Sequence, residues 1–462
     1  MQNSKCRLKC LRLMSMVCVT LILTACGAPA AIPQTPTPTA PRAPISAPTI
    51  TSSPLPMPAT ATALPTATSM PTQITRPTST EAPSISVVVL SAQLSATVAA
   101  QLPPTSTPDA SGMTMGGFSG VNVLPLKTTD GQSPLWMAFT YGMRSFDPQR
   151  NHFVSIYTHD ETGWQQLTRF DLEAPDYIDP GSIQQVAIDP NHIWLEVQSG
   201  VGAHGGCYDL LMLDGSVLTD TVQNCAGSPG AGSVADVNGD GQLDVVLDQT
   251  DAYVFCYACG VRFPGFRVLR WNGQRLVEVQ LTLLPDSAPA ELRQPINRAV
   301  ELAQAGLWKD ALAAVDQAAA LNASDETANW DAALIRLQVK ALQDQINNQA
   351  YPLLDNLFYG DYPAVLNGMR SYSPEQLFGP DTPLITGTVA EGWADSVTYW
   401  VTSTTTSALK VEPNLAAAYF IQGWGLHLAD PASKVALADI EKAAQLDPNE
   451  PLYSQSLAYL RK

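Results

Sequence analysis

The sequence predicts a multidomain protein, an all-β module followed by an α-helical solenoid, set beyond a disordered Pro/Thr-rich linker. Three observations carry this. Proline and threonine crowd the chain from Gly27 to about Ala110 with almost no charge; short apolar runs recur between turn residues from Gly116 to about Pro285; and from Glu291 onward Ala, Leu and Gln fall at helical spacing.

The N-terminus reads as an export signal. Lys5, Arg7, Lys9 and Arg12 precede an apolar run from Leu13 to Leu23, and small residues follow. That run is about 11 residues long, whereas a membrane-spanning helix needs roughly 20. Residues 1–25 are therefore expected to be removed. Leu23-Thr24-Ala25-Cys26-Gly27 resembles a bacterial lipobox, and the resemblance implies lipidation of Cys26, tethering to the membrane and an extracytoplasmic location. The signal carries four basic and no acidic residues, so the formal charge of −17 becomes −21 in the mature chain. Nucleic acid is then excluded as a partner, because phosphate affinity comes from Lys and Arg.

Residues 26–110 are read as the lipidated cysteine and a linker. Frequent proline favours polyproline II at about 3.1 Å per residue, a spacer reaching up to ~200 Å. One stretch differs. Ser84 to Leu102 lacks proline, and Val87, Leu90, Leu94 and Val98 predict a short helix; a second membrane span is the alternative.

Residues 111–289 are read as the β module. Strands are predicted at Leu135–Tyr141, Phe153–Thr158, Ile183–Ile188, Ile193–Val197, Tyr208–Leu213, Val245–Leu247 and Arg267–Trp271. Turns are predicted at Asp160–Gly163, Asp189–Asn191, Asp214-Gly215 and Asn272-Gly273. The module is expected to be propeller-like, with about four blades of ~40 residues, or a sandwich.

Its most specific motif is Asp236-Val237-Asn238-Gly239-Asp240-Gly241-Gln242-Leu243-Asp244. Oxygen donors at positions 1, 3, 5 and 9, with glycine at 6, have the spacing of a calcium loop. Leu247 stands where an EF-hand places glutamate, and a strand follows instead of a helix. The motif therefore resembles the calcium loops of FG-GAP or VCBS-type repeats. Ca2+ would be held by Asp236, Asn238, Asp240, Asp244 and the Gln242 carbonyl; the alternative is an acidic turn without metal.

Four cysteines remain after processing and lipidation. Export favours disulfides over zinc, and Cys207 and Cys225 flank the turn at Asp214-Gly215-Ser216 almost symmetrically. The expected pairs are Cys207 with Cys225 and Cys256 with Cys259. His204 is read as a loop residue, since a disulfide-bonded Cys207 is no nucleophile.

Residues 290–462 are read as helical hairpins. Ala299, Leu302, Gly306-Leu307-Trp308-Lys309-Asp310-Ala311, Val315, Ala318 and Leu321 resemble a tetratricopeptide repeat, as do Tyr419, Gly423, Ala436, Ile440, Ala443, Leu446 and Asp447-Pro448. Ala408–Asn414 echoes Ala443–Asn449 at a separation of 35 residues. Gly360-Asp361-Tyr362-Pro363-Ala364-Val365 marks a further inter-helix turn. The β and helical regions are expected to bury separate cores.

No H-E-x-x-H, G-x-S-x-G or G-x-x-x-x-G-K-S/T motif occurs. The expectation is therefore a non-enzymatic scaffold whose repeats bind a protein or peptide in the cell envelope, with a calcium-stabilised β domain. The alternative is an exported hydrolase with a dispersed site in the β domain.

Overall fold

Nine strands of the β region join one antiparallel sheet: β1 (Gly120–Leu126), β2 (Leu135–Met143), β3 (His152–Asp160), β4 (Gly163–Leu172), β5 (Tyr177–Ile178), β6 (Ile183–Val186), β7 (Ile193–Val201), β8 (Gly205–Asp214) and β9 (Val217–Ala226). The structure is a computed structural model and describes residues 86–102, 120–128, 134–143, 151–321 and 325–462. The signal segment, Cys26 and most of the Pro/Thr-rich stretch lie outside these residues.

The sheet order is β4-β3-β2-β5-β7-β8-β9, with β1 added to β2 and β6 to β7. It curls until its two ends meet, where the Leu218 amide on β9 donates to Thr168 Oγ1 on β4 at 3.4 Å. Side chains alternate across it, as the two-residue period of a strand requires. Met137, Phe139, Val154, Ile156, Leu195, Val197, Leu211 and Leu213 fill the hollow of this half-barrel. Trp136, Ala138, Phe153 and Tyr157 face outward and meet Leu94 and Val98 of helix α1 (Val87–Gln101). The helix predicted inside the spacer thus belongs to the folded body. At 15 residues it does not span a bilayer, and no described helix is long and apolar enough to do so.

A second sheet follows, a meander of β10 (Gly232–Ala235), β11 (Asp244–Asp248), β12 (Phe266–Trp271) and β13 (Leu276–Val279). This unit has the size of a propeller blade. The expected repetition of blades is not found, because the preceding strands pair on into one curled sheet instead of breaking every four.

The meander is buried on both faces. Val245 and Leu247 pack with Trp194, Tyr208 and Leu210 of the half-barrel, while Val246 and Val268 pack with Trp330. Double burial explains why Val245-Val246-Leu247 is uniformly apolar where a half-exposed strand would alternate.

Ten helices complete the described chain: α2 (Ala290–Gln304), α3 (Trp308–Ala319), α4 (Glu326–Asn348), α5 (Pro352–Tyr359), α6 (Tyr362–Met369), α7 (Pro374–Phe378), α8 (Ala394–Val411), α9 (Ala416–Ala429), α10 (Lys434–Leu446) and α11 (Pro451–Leu460). The hairpins α2–α3 and α9–α10 fall where the small-residue patterns place them. Gly423 shows why small residues recur: a Cβ there would lie 2.7 Å from Ile440 Cγ1 and 2.8 Å from the Ala436 carbonyl oxygen. The expected turn at Gly360-Asp361 joins α5 to α6. Its φ is +79°, and a Cβ on Gly360 would lie 2.7 Å from the Gly306 carbonyl oxygen, so two hairpin turns lie against each other. Lys309 Nζ bridges them to Asp361 Oδ2 at 2.7 Å.

The half-barrel keeps a core of its own, but the separation is not complete. The loop after β11 sends Val254, Phe255 and Val261 into the helical core, where Phe255 meets Tyr351 at 5.7 Å between ring centroids. Phe263 packs on Phe358 at 4.7 Å and Trp400 at 5.0 Å. These aromatic residues lie in a segment without strand periodicity, which is why their destination is not legible locally.

Candidate functional site

The acidic loop connects β10 to β11. Asp236 Oδ1 accepts the amides of Gly239 and Asp240 at 2.8 and 3.0 Å, and Oδ2 accepts that of Gly241 at 2.9 Å. Asp240 Oδ1 accepts the Gln242 amide at 2.9 Å, and Asp244 Oδ2 accepts that of Val237 at 3.2 Å. Asp244 is buried, and burial pushes its carboxyl up to about 6, with the neighbouring Asp240 and Asp236 adding to the rise against the Val237 amide and Arg270.

The five expected ligands thus share one loop, and their all-oxygen donor set suits a hard cation. Their carboxylates are nonetheless turned to backbone amides. Among the described residues no group of three or more His, Cys, Asp and Glu is placed to hold a metal ion.

Sequence reasoning missed the role of Arg270. Its Nη2 lies 3.1 Å from Asp240 Oδ2, its Nη1 pairs with Glu326 at the start of α4, and its guanidinium lies over the Trp330 ring at 5.5 Å from the centroid. This one cation ties the acidic loop to the helical region.

Beside the loop opens a cleft of about 770 Å³ between the β6–β7 turn, the β12–β13 hairpin and the start of α4. Asp189, Asn191, Gln242, Arg270, Trp271 and Asn272 are among its walls. Trp271 meets Trp194 edge to face at 5.0 Å and His192 at 5.7 Å. Asp189 accepts from Trp194 Nε1 at 2.6 Å and stands 3.0 Å from His192 Nδ1. Burial raises the Asp189 carboxyl, but bonds from Trp194, the Asn191 amide and His192 outweigh it and hold the group below the usual range. Both turns are visible in the sequence as Asp189-Pro190-Asn191 and Trp271-Asn272-Gly273. Their meeting, across about 80 residues of chain, is not.

A second cavity, of about 420 Å³, lies in the helical region between α5, α6 and residues 383–389. Leu353, Val365, Met369, Leu384 and Val389 supply apolar walls, and the Tyr351 hydroxyl donates to the Leu384 carbonyl at 2.6 Å to fix its rim. Elsewhere the chain covers its own helices. Trp424 Nε1 donates to the Leu377 carbonyl at 3.1 Å, Phe378 packs edge to face on Phe420, and Arg370 pairs with Glu450 at 2.6 Å. Segment α7 therefore lies over α9 and α11, faces that a plain solenoid leaves open.

Both expected cysteine pairs stand at bonding distance. Cys207 and Cys225 are directly opposite on β8 and β9, and Cys256 and Cys259 close a short 3-10 turn. His204 is exposed and stacks on Tyr257 at 4.3 Å between centroids, bringing the two disulfide loops together. No family model, curated protein or solved structure matches the chain.

Proposed function

We propose that the chain is an extracytoplasmic binding protein, tethered to the membrane by lipidation of Cys26, whose helical region takes a protein or peptide of the cell envelope. Its hairpins are of the tetratricopeptide kind, and their stacking is what leaves room for such a ligand. The observation that carries this reading is the apolar cavity between α5, α6 and residues 383–389. A pocket of this size, with apolar walls and a polar rim fixed by Tyr351, suits one or two apolar side chains anchored from a partner segment. The site of docking shifts accordingly. It is the α5–α6 end, since α9 and α11 are occupied by the chain's own α7.

The oxidised cysteine pairs are consistent with an exported protein. We assign Ca2+ to the acidic loop on its oxygen donor set, with Asp236, Asn238, Asp240, Asp244 and the Gln242 carbonyl as ligands. Binding would require Asp236, Asp240 and Asp244 to turn from the backbone amides they accept, and Asp240 also from Arg270, toward the ion.

Photo-cross-linking from Val389 in intact envelopes tests the ligand reading. A discrete protein adduct is expected, and Gly368→Trp should remove it, because a Cβ at Gly368 meets nothing within 4 Å and the indole would enter the cavity. No adduct, or one indifferent to Gly368→Trp, would contradict the proposal.

A further inference from the structure

We infer that the cleft beside the acidic loop binds a neutral saccharide. Its central feature is a half-buried indole that is already held in place. Trp271 is flanked by Trp194 at 5.0 Å and His192 at 5.7 Å, with ring planes near perpendicular at 78° and 73°. The two flanking rings are themselves fixed by one carboxylate, since Asp189 bonds to Trp194 Nε1 and His192 Nδ1. The Asp189 side chain is only 7% exposed, so this support lies beneath the cleft surface. A ring positioned in this way offers a flat apolar face with little ordering left to be done on binding.

Around the indole stand groups that both donate and accept hydrogen bonds. The carboxamides of Asn191 and Gln242 are exposed and make no side-chain hydrogen bond among the described residues. Asn272, also on the cleft wall, uses Oδ1 to accept the amides of Gln274 and Arg275, and its NH₂ makes no hydrogen bond among the described residues. A pyranose ring presents the complementary chemistry: a patch of C–H bonds on one face and a rim of hydroxyls, each donor and acceptor.

Other ligand classes fit less well. An anion would meet Glu326 and Asp189, with the lining cation, Arg270, already paired to Glu326 and Asp240, on a chain with formal charge −17. An organic cation would find Glu326 already paired with Arg270 and Asp189 already bonded to Trp194 and His192. A purely apolar ligand would bury the carboxamides without partners. The volume of about 770 Å³ lies within the range of small-ligand sites and leaves the cleft open to a chain longer than one sugar.

Calorimetric titration of the full chain in detergent with four neutral tetrasaccharides, of β-linked N-acetylglucosamine, β-linked glucose, α-linked glucose and mannose, tests the assignment. At least one should give saturable heat and quench tryptophan fluorescence. Trp271→Ala should weaken that binding by about tenfold or more. Because Trp271 also contacts the core, the double variant Asn191→Ala and Gln242→Ala, confined to exposed side chains, serves as the second test and should weaken it as well. Absence of binding by all four sugars up to about 10 mM, or binding unchanged in the double variant, would overturn the inference.

Discussion

Asp331 is the clearest case of a single group working against the fold at neutral pH. It is fully buried in α4, its Oδ1 accepts the Thr282 amide at 2.9 Å, and its Oδ2 has no partner. Burial pushes its carboxyl up to about 7, against the Thr282 bond, with Asp325 adding a smaller repulsion. The folded chain therefore keeps a proton that the unfolded chain releases at about pH 4. Stability from this group is fully present below that pH and is lost as pH rises to about 7. Asp331→Asn should remove this pH dependence and raise the melting temperature at pH 8, by on the order of a few kcal/mol of stability. A variant melting lower than the parent at pH 8 would contradict this account of Asp331. The acidic loop is the other residue-scale case. Extracellular calcium sites commonly bind at about 10⁻⁴ to 10⁻³ M. Several millimolar Ca2+ should then stabilise the protein by roughly 1–2 kcal/mol, an effect that Asp240→Ala should abolish. An unchanged melting curve, with no calorimetric signal, would leave the loop as an acidic turn. The loop was fully legible because its donors are local; Arg270, 30 residues from Asp240, carries no mark in the sequence that pairs it with them.

At the scale of elements, the meander β10–β13 is the joint of the molecule. Its face of Val246 and Val268 is covered by Trp330, which is 6% exposed. Trp330→Ala should cost roughly 3–5 kcal/mol, since it opens a cavity and removes the ring over which the Arg270 guanidinium lies. Chemical denaturation monitored by circular dichroism checks this, and a loss below about 1 kcal/mol would mean that the two layers contribute independently. Removing Glu291–Lys462 should likewise lower the melting temperature of what remains and expose Phe255, Phe263 and the Val246–Val268 face, which lose the helices that cover them, while the half-barrel keeps its own core. Strands with alternating or apolar residues were readable, and so were the turns between them. The long strand β9 was not. Its run Val217-Leu218-Thr219-Asp220-Thr221-Val222-Gln223-Asn224 is mostly polar, because one face looks to solvent and its pairing with β8 comes from the two-residue turn at Gly215-Ser216. Helical hairpins announced themselves through small residues at the close approach, as at Gly423, whereas α7 and its surroundings gave no periodic signal because they are short and fitted to neighbouring helices.

For the whole molecule, composition separated strands from helices in the order observed but could not foresee that the meander and the loop after β11 would pack into the helical region. Packing across the boundary rests on Phe255, Phe263 and Trp330, aromatic residues placed singly in loop or helix, whose partners lie roughly 80 to 140 positions away in several cases. The same scale carries the functional reading. The proposed calcium site and envelope ligand rest on export of the chain, and the proposed tether rests on lipidation of Cys26. Metabolic labelling with a radioactive fatty acid, followed by membrane fractionation, reads this out. The parent protein should take up label and sediment with membranes, while Cys26→Ala should lose the label and its membrane partition. A Cys26→Ala protein that is still processed and still sediments with membranes would contradict the proposal of an anchored binding protein.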